Sequence, residues 1–415
     1  MYKTPSLRLA IGGTSLLPPL TGIGRYTRHL VDELLLRRHE IDLFYGAYWT
    51  DARSGSQHTV QPQDDWSRNK LIRVLQVQSA ALGRRGLSAL RLAANTLTER
   101  FATKPQDLSR YLQQRQFSRG LSGKRPDLYH EPNYLAWNFD GPLVISAHDI
   151  SWIRYPQAHP AERLYAMNTH FPESLKRANA VIVGSEFVRR ELTEYFGVQD
   201  ERIHVTPYGV SSEFYPRSPD ESHPVLARYG LKQGHFFLAV GTLEPRKNLI
   251  TAIRAHASLP DALRASYPLV LAGTRGWLNE ELDAEIARAA SKDRVRWLGY
   301  VAEQDLPALT SAALATLYPS LYEGFGFPPL ESMACATPVL ASNRASIPEV
   351  LGDAGLMCEA LDVDAFAQGM KRLTEDPAWT EGLRLRGLQQ AQRFSWQNTA
   401  EATEAVYRSV LGRSR

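Results

Sequence analysis

Leu321–Ser342 reads LYEGFGFPPLESMACATPVLAS, with glutamates at 323 and 331 around a Gly-Phe-Gly-Phe-Pro-Pro spacer. The run before it, ATLYPS, ends at Ser320 in the manner of a strand, and LESMACA after it has a helical pattern. That helix is expected to begin near Pro328 or Pro329, because proline suits a first turn, where its missing N–H would be unpaired anyway. Glu323 then falls in a strand-to-helix loop and Glu331 in the helix's first turn, where outward amides and the macrodipole favour negative charge. Gly324 and Gly326 let the backbone come close to whatever occupies that space.

Outward from this loop the chain alternates strands and helices. In the second half, FFLAVGT, PLVLAGT, RVRWLGY, ATLYPS, PVLAS and GLMCE are six short apolar runs separated by helical patterns. The first half opens with strand Leu7–Ile11, a Gly/Pro loop and a helix from about Gly24 to Arg38, then strand IDLFYGAY. Strands return at DLYHEP, LVISAHDI, AVIVGS and IHVTPYG, with helices around Ala161–Arg177 and Phe187–Phe196. Such alternation predicts parallel sheets covered by helices on both faces. Residues 210–234 are Pro/Ser-rich and read as a linker, so two α/β domains are expected, 1–209 and 235–394, with an interdomain cleft. A C-terminal helix over 395–415 starts at the N-cap Ser395 and would pack back on the first domain.

A chain of 415 residues, 43% hydrophobic and 22% charged, fits two globular domains and not a disordered chain. No apolar run is long enough to span a bilayer, and MYKTPSLRLAIGG looks like a first strand, not a signal peptide. Cys335 and Cys358 form no CxxC and no disulfide framework, so a reducing cytoplasm is expected. The net charge of +4 is uneven: between Arg68 and Arg125, 13 lysines and arginines face only Glu99 and Asp107, an excess of +11 against −7 elsewhere. Leu71, Val74 and Leu75, and Leu87, Leu90, Ala94 and Leu97, recur at helical spacing there. An amphipathic basic helix suits an anionic membrane surface, at about 1 kcal/mol per cation; an ordinary solvated face is the plainer alternative. Few aromatics are present to stack on bases, which argues against nucleic acid.

The glutamate pair is unlike a glycosidase's acid and nucleophile. A general acid needs a raised pKa, and a helix N-terminus works the other way on Glu331. Two ionised acceptors suit gripping hydroxyls. Arg246 and Lys247, in AVGTLEPRKNL, follow a strand and precede a helix, where the dipole disfavours cations, so an anion should compensate. A diphosphate would do so; a pairing with Glu244 is the plainer alternative.

Taken together the residues resemble the retaining glycosyltransferases of family 4, which have the GT-B fold of two facing Rossmann-like domains. The stretch E-G-F-G-F-P-P-L-E fits that family's paired-glutamate signature. GIGRY at 22–26, YHEPN at 129–133, AHDIS at 147–151, VGSEF at 183–187, TPYGV at 206–210 and GTLEPRKN at 241–248 support it in order and spacing. The resemblance implies that Glu323 holds donor-sugar hydroxyls with the amides of Gly324, Phe325 and Gly326, and that Glu331 binds the ribose. Lys247 and Arg246 would neutralise the diphosphate, and Gly22 and Gly24 would let the first domain's loop close over it. His148 would face the transferred sugar, and His130, Glu131 and Asn133 would line the acceptor side. The family often has an arginine soon after the glycine matching Gly241, where this chain has Thr242 and Leu243, so Arg246 stands in for it.

The implied reaction moves a hexose from a nucleoside-diphosphate sugar to a hydroxyl with retention, needing no cofactor and no metal. YHEPN and GTLEPRKN look most like mannosyl- and rhamnosyltransferases of bacterial surface-polysaccharide assembly. That implies GDP-mannose or GDP-rhamnose as donor, a lipid-linked glycan as acceptor, and a peripheral site at the inner membrane for segment 68–125. A UDP-sugar enzyme with a soluble acceptor, a non-catalytic sugar-nucleotide-binding scaffold and an epimerase are the competing expectations. Asp362-Val363-Asp364 spells a metal-binding DxD but introduces a helical run, and Ser185 precedes another; both are expected to be caps. GIGRYT lacks the third glycine of a dinucleotide fingerprint.

Overall fold

The computed structural model describes residues 5–18, 20–53, 105–276, 280–289 and 294–413. Most of the basic segment, 68–104, with its apolar spacing, lies outside the described residues. Among them no helix is long and apolar enough to cross a membrane.

The first sheet has seven strands: β1 (Arg8–Gly12), β2 (Glu40–Phe44), β3 (Trp49–Asp51), β4 (Leu128–Glu131), β5 (Leu143–Ala147), β6 (Ala180–Val183) and β7 (Ile203–Val205). Their order is β3-β2-β1-β4-β5-β6-β7. β1 pairs in parallel with β2 and β4, and β4 with β5, while β3 turns back antiparallel to β2. The second sheet has six: β8 (Phe237–Val240), β9 (Leu269–Ala272), β10 (Val295–Gly299), β11 (Ala315–Tyr318), β12 (Val339–Ser342) and β13 (Leu356–Cys358). They run in the order β10-β9-β8-β11-β12-β13, every pair parallel. Near-continuous apolar strands such as LVLA in β9, buried at all four positions, are what a sheet covered on both faces requires.

The chain divides into two compact units, Met1–Ala147 with Thr169–Ile182 and Ala400–Arg415, and His148–Asn168 with Val183–Thr399. In the first unit, helix α1 (Gly22–Leu36) buries Tyr26, Leu30, Val31 and Leu34 on one face. Helix α2 (Pro105–Leu121) is anchored by Phe117, whose ring packs edge-on against Phe44 at 5.2 Å and lies 4.9 Å from Tyr129. Helix α15 (Trp396–Arg413) gives this unit Glu404, which accepts from Arg37 Nε at 2.5 Å and from Arg408 at 2.5 Å. Burial pushes that carboxyl up, but the two guanidiniums hold it at about 2.

Between these lie the short helix α3 (Ser151–Arg154) and the longer α4 (Ala161–Arg177), then α5 (Glu186–Phe196), capped by Ser185 Oγ accepting from Val188 N at 3.3 Å. Residues 210–234 are not linker throughout. α6 (Pro219–Tyr229) is a helix closed by a capping box, with Ser218 and Glu221 each accepting from the other's backbone N–H. The remaining helices of the second unit are α7 (Leu249–Ala257), α8 (Asp261–Ser266), α9 (Glu280–Ala289), α10 (Leu306–Ala312), α11 (Phe327–Ala334), α12 (Ile347–Leu351), α13 (Val363–Glu375) and α14 (Pro377–Ala391). Asp362 caps α13 through Ala365 N at 2.9 Å, as its place before the helix implies.

Candidate functional site in the second unit

The order of the second sheet reverses between β8 and β11, which pair directly through Thr316 and Leu238. In an open α/β sheet ligands bind at the carboxyl ends of strands flanking such a switch point. The loops leaving β8 and β11 carry Arg246 and Lys247, and Glu323.

After β8 the chain makes a single 3-10 turn, Pro245–Lys247, and Asn248 takes a left-handed conformation (φ 52°) before α7 begins. Asn248 Nδ2 donates to the carbonyls of Pro319 and Ala360 at 3.0 and 2.6 Å, pinning this turn to the loops after β11 and β13. Leu321 N donates to Arg246 O at 2.9 Å for the same effect. Ser346 Oγ lies 2.8 Å from the carbonyls of both Glu323 and Phe325, and Ser185 Oγ donates to Gly324 O at 2.7 Å. Gly324 could be no other residue: an added Cβ would lie 1.7 Å from the carbonyl oxygen of His148.

Within this frame Lys247 Nζ donates to Glu323 Oε1 at 2.7 Å, and Arg246 donates to Glu323 Oε2 at 3.1 Å and to Glu244 Oε1 at 2.6 Å. Lys247 also approaches Tyr318, at 3.3 Å from its hydroxyl. Glu323 is 7% exposed. Burial drives its carboxyl up, yet the Lys247 ammonium and Arg246 guanidinium overcome this and hold it at about 2. Burial likewise opposes Asp149, whose carboxyl Arg246 keeps below the usual range. Arg246 is held more firmly protonated by Glu323, Glu244 and Asp149 despite its burial. The cations expected to meet a diphosphate are thus compensated from within the protein, by Glu323 and Glu244 together.

Glu331 is 4% exposed and is the fifth residue of α11, which starts at Phe327, so it sits in the second turn and not the first. Dipole support at that depth is weaker than its expected place implied. Gly326 precedes α11 with φ 114°, and Phe325 is buried 4.8 Å from the Tyr208 ring. His148, 8% exposed, shares a 2.7 Å hydrogen bond between Nδ1 and the Tyr208 hydroxyl.

The other expected residues belong to the first unit. Gly22 and Gly24 form the opening turn of α1 and not a loop before it. His130 lies in β4, wholly buried, with Nδ1 2.6 Å from the Tyr407 hydroxyl and Nε2 2.8 Å from Ser146 Oγ. Both ring nitrogens serve the core, so the ring has none left for an acceptor. Glu131 accepts from the Tyr129 hydroxyl at 2.7 Å and Asn133 N at 3.0 Å, and burial raises it to about 7 against those donors and Arg110. Asn133 is half-buried beside it. Tyr318 and Tyr208 have no role in the sequence reading; Glu244 has one, as the plainer partner of Arg246, and it makes that pair at 2.6 Å.

Residues 227–393 match the family described as Glycosyl transferases group 1, and residues 20–214 the one described as Glycosyltransferase Family 4. The O-antigen chain mannosyltransferase B of Escherichia coli is 38% identical over 392 residues, 94% of this chain and 96% of that one. Among solved structures, a sucrose-phosphate synthase from Thermosynechococcus elongatus superposes with TM-score 0.71 at 21% identity, covering 98% of this chain and 99% of that one. WaaG, a glycosyltransferase involved in lipopolysaccharide biosynthesis, does so with TM-score 0.67 at 16% identity, covering 96% and 99%. At those identities the two structures speak to the shared fold. A relative matched at 38% along nearly the whole of both chains places this one in glycosyltransferase family 4, and it is accordingly an enzyme that transfers glycosyl groups.

Proposed function

We propose that the enzyme transfers mannose or D-rhamnose from a GDP-sugar to a hydroxyl of a growing lipid-linked polysaccharide, with retention and without a metal ion. The observation that carries this is the Lys247–Glu323–Arg246 cluster at the switch point of the second sheet. The name of the relative described above, an O-antigen chain mannosyltransferase, supports mannose and a polysaccharide acceptor.

Lys247 and Arg246 would exchange their carboxylate partners for diphosphate oxygens as charge grows on the leaving group, and Glu323, released, would accept from sugar hydroxyls. Glu331 would hold the ribose, and His148 would face the sugar. The bond from the anomeric carbon to the phosphate oxygen breaks and a bond to the acceptor oxygen forms on the same face. The departing phosphate oxygen takes the acceptor's proton. Preorganised donors at such a charge are each worth roughly 10²–10³ in rate. The acceptor and segment 68–125 would meet at the cytoplasmic face of an anionic membrane.

Calorimetric titration with GDP and with UDP, in EDTA, tests this first. Tight binding of GDP alone is expected, and it weakens in Glu331→Ala. Preference for UDP overturns the donor, a need for metal overturns metal independence, and binding of neither overturns the roles of Glu331 and Lys247.

A further inference from the structure

Tyr208 stands at the junction of three things: the His148 ring, the glutamate loop and the start of α15. It is buried, and its hydroxyl is 2.7 Å from His148 Nδ1. Its ring stacks on Phe327 (centroids 5.6 Å, 17°) and on Trp396 (6.5 Å, 13°), and lies 4.8 Å from Phe325. Behind it the chain needs glycine at 184, because a Cβ there would come within 2.7 Å of the phenol ring. The phenol ring thus lies directly against the backbone at Gly184.

We propose that Tyr208 is a positioning residue for His148. Its hydroxyl donates to Nδ1, and so keeps the imidazole proton on Nε2 and the ring at a fixed angle. A phenol is the better donor of the two, and the bond made at one ring nitrogen decides which nitrogen is protonated. Because the same ring packs against Phe325 and Phe327, the orientation of His148 is tied to the seating of the loop that carries Glu323. The proposal rests on the role given above to His148, namely that its ring faces the transferred sugar. It adds a residue that touches no substrate.

The test uses the full-length protein with GDP-mannose and a synthetic lipid-linked acceptor, in four forms: wild type, Tyr208→Phe, His148→Ala and the double variant. Phenylalanine keeps the stacked ring and removes only the hydroxyl. Tyr208→Phe is expected to lower kcat by about ten- to a hundredfold, the scale of a misplaced group, with GDP affinity unchanged. The double variant should be no slower than His148→Ala, since two residues acting through one ring are not additive. In protein carrying ¹⁵N-histidine, the wild-type His148 ring should show the Nε2–H tautomer and Tyr208→Phe a mixture. Wild-type kcat in Tyr208→Phe, additive losses in the double variant, or an Nδ1–H ring in wild type each overturn the inference. If His148→Ala itself turns over at the wild-type rate, the role of His148 falls, and the inference with it.

Discussion

Glu323→Gln separates the two things asked of Glu323, because the side chain keeps its shape and loses its charge. In the wild type the carboxylate is held by Lys247 at 2.7 Å and Arg246 at 3.1 Å and sits at about 2, against an ordinary 4.5. A folded pKa that low means the ion pair's contribution is fully present above pH 4.5 and is lost as the pH falls toward 2. Its size is roughly 3 kcal/mol, from about 1.4 kcal/mol per pKa unit. The variant should therefore unfold about 2–3 kcal/mol more easily at pH 7 in denaturant titrations, and differ little from wild type near pH 2. In the proposed site, removing the carboxylate also removes the competitor that a diphosphate would meet for the two cations. GDP, which has no sugar to grip, should bind the variant about tenfold more tightly by calorimetry, the gain of one charge-assisted contact. Turnover with the sugar nucleotide should meanwhile fall by roughly 10²–10³. Weaker GDP binding by folded Glu323→Gln would refute the competition, and with it the idea that the cluster is a diphosphate site closed upon itself.

Two further outcomes follow from the geometry. Glu131 ionises in the folded protein only near 7, so between its ordinary 4.5 and 7 the folded state holds a proton that the unfolded state has lost, and stability falls as pH rises. Glu131→Gln should be more stable than wild type by up to about 3 kcal/mol at pH 8 and no more stable at pH 4, in thermal melts across that range. Gly324→Ala drives a methyl into the His148 carbonyl and should cost about 3 kcal/mol or more, measured by denaturant unfolding; an unchanged midpoint would mean the backbone there yields freely.

All six apolar runs of the second half became β8 to β13: the inner strands β8, β9, β11 and β12, covered on both faces, announce themselves as uninterrupted apolar stretches, and the half-buried edge strands β10 and β13 keep enough of that pattern to be read. β3 did not, because three residues turning back at a sheet edge leave no periodicity to read. α6 was hidden by its prolines, although Ser218-Pro219-Asp220-Glu221 spells a capping box with proline where a helix accepts it. In the site, the residue types and their loops were legible: Arg246, Lys247 and Glu323 do meet. Their mutual neutralisation was not, because a contact spanning 76 residues leaves no local trace. His130 shows the same limit. Its ring is filled by Tyr407, 277 residues away, and no pattern around YHEPN could tell a buried strand histidine from one lining a ligand.

That distance also bears on how the protein is made. The first unit takes its strands from the opening half of the chain, yet Glu404, Tyr407 and Arg408 close it, bonding to Arg37, His130 and the carbonyl of Pro5. A ribosome delivers these partners only after the whole second unit has emerged. The second unit can therefore complete its packing first, and the first must wait with His130 and Arg37 unsatisfied, a long-range closure that is slow by its topology. Loss of residues 400–413 by truncation or premature termination would then damage the unit farthest from them in sequence.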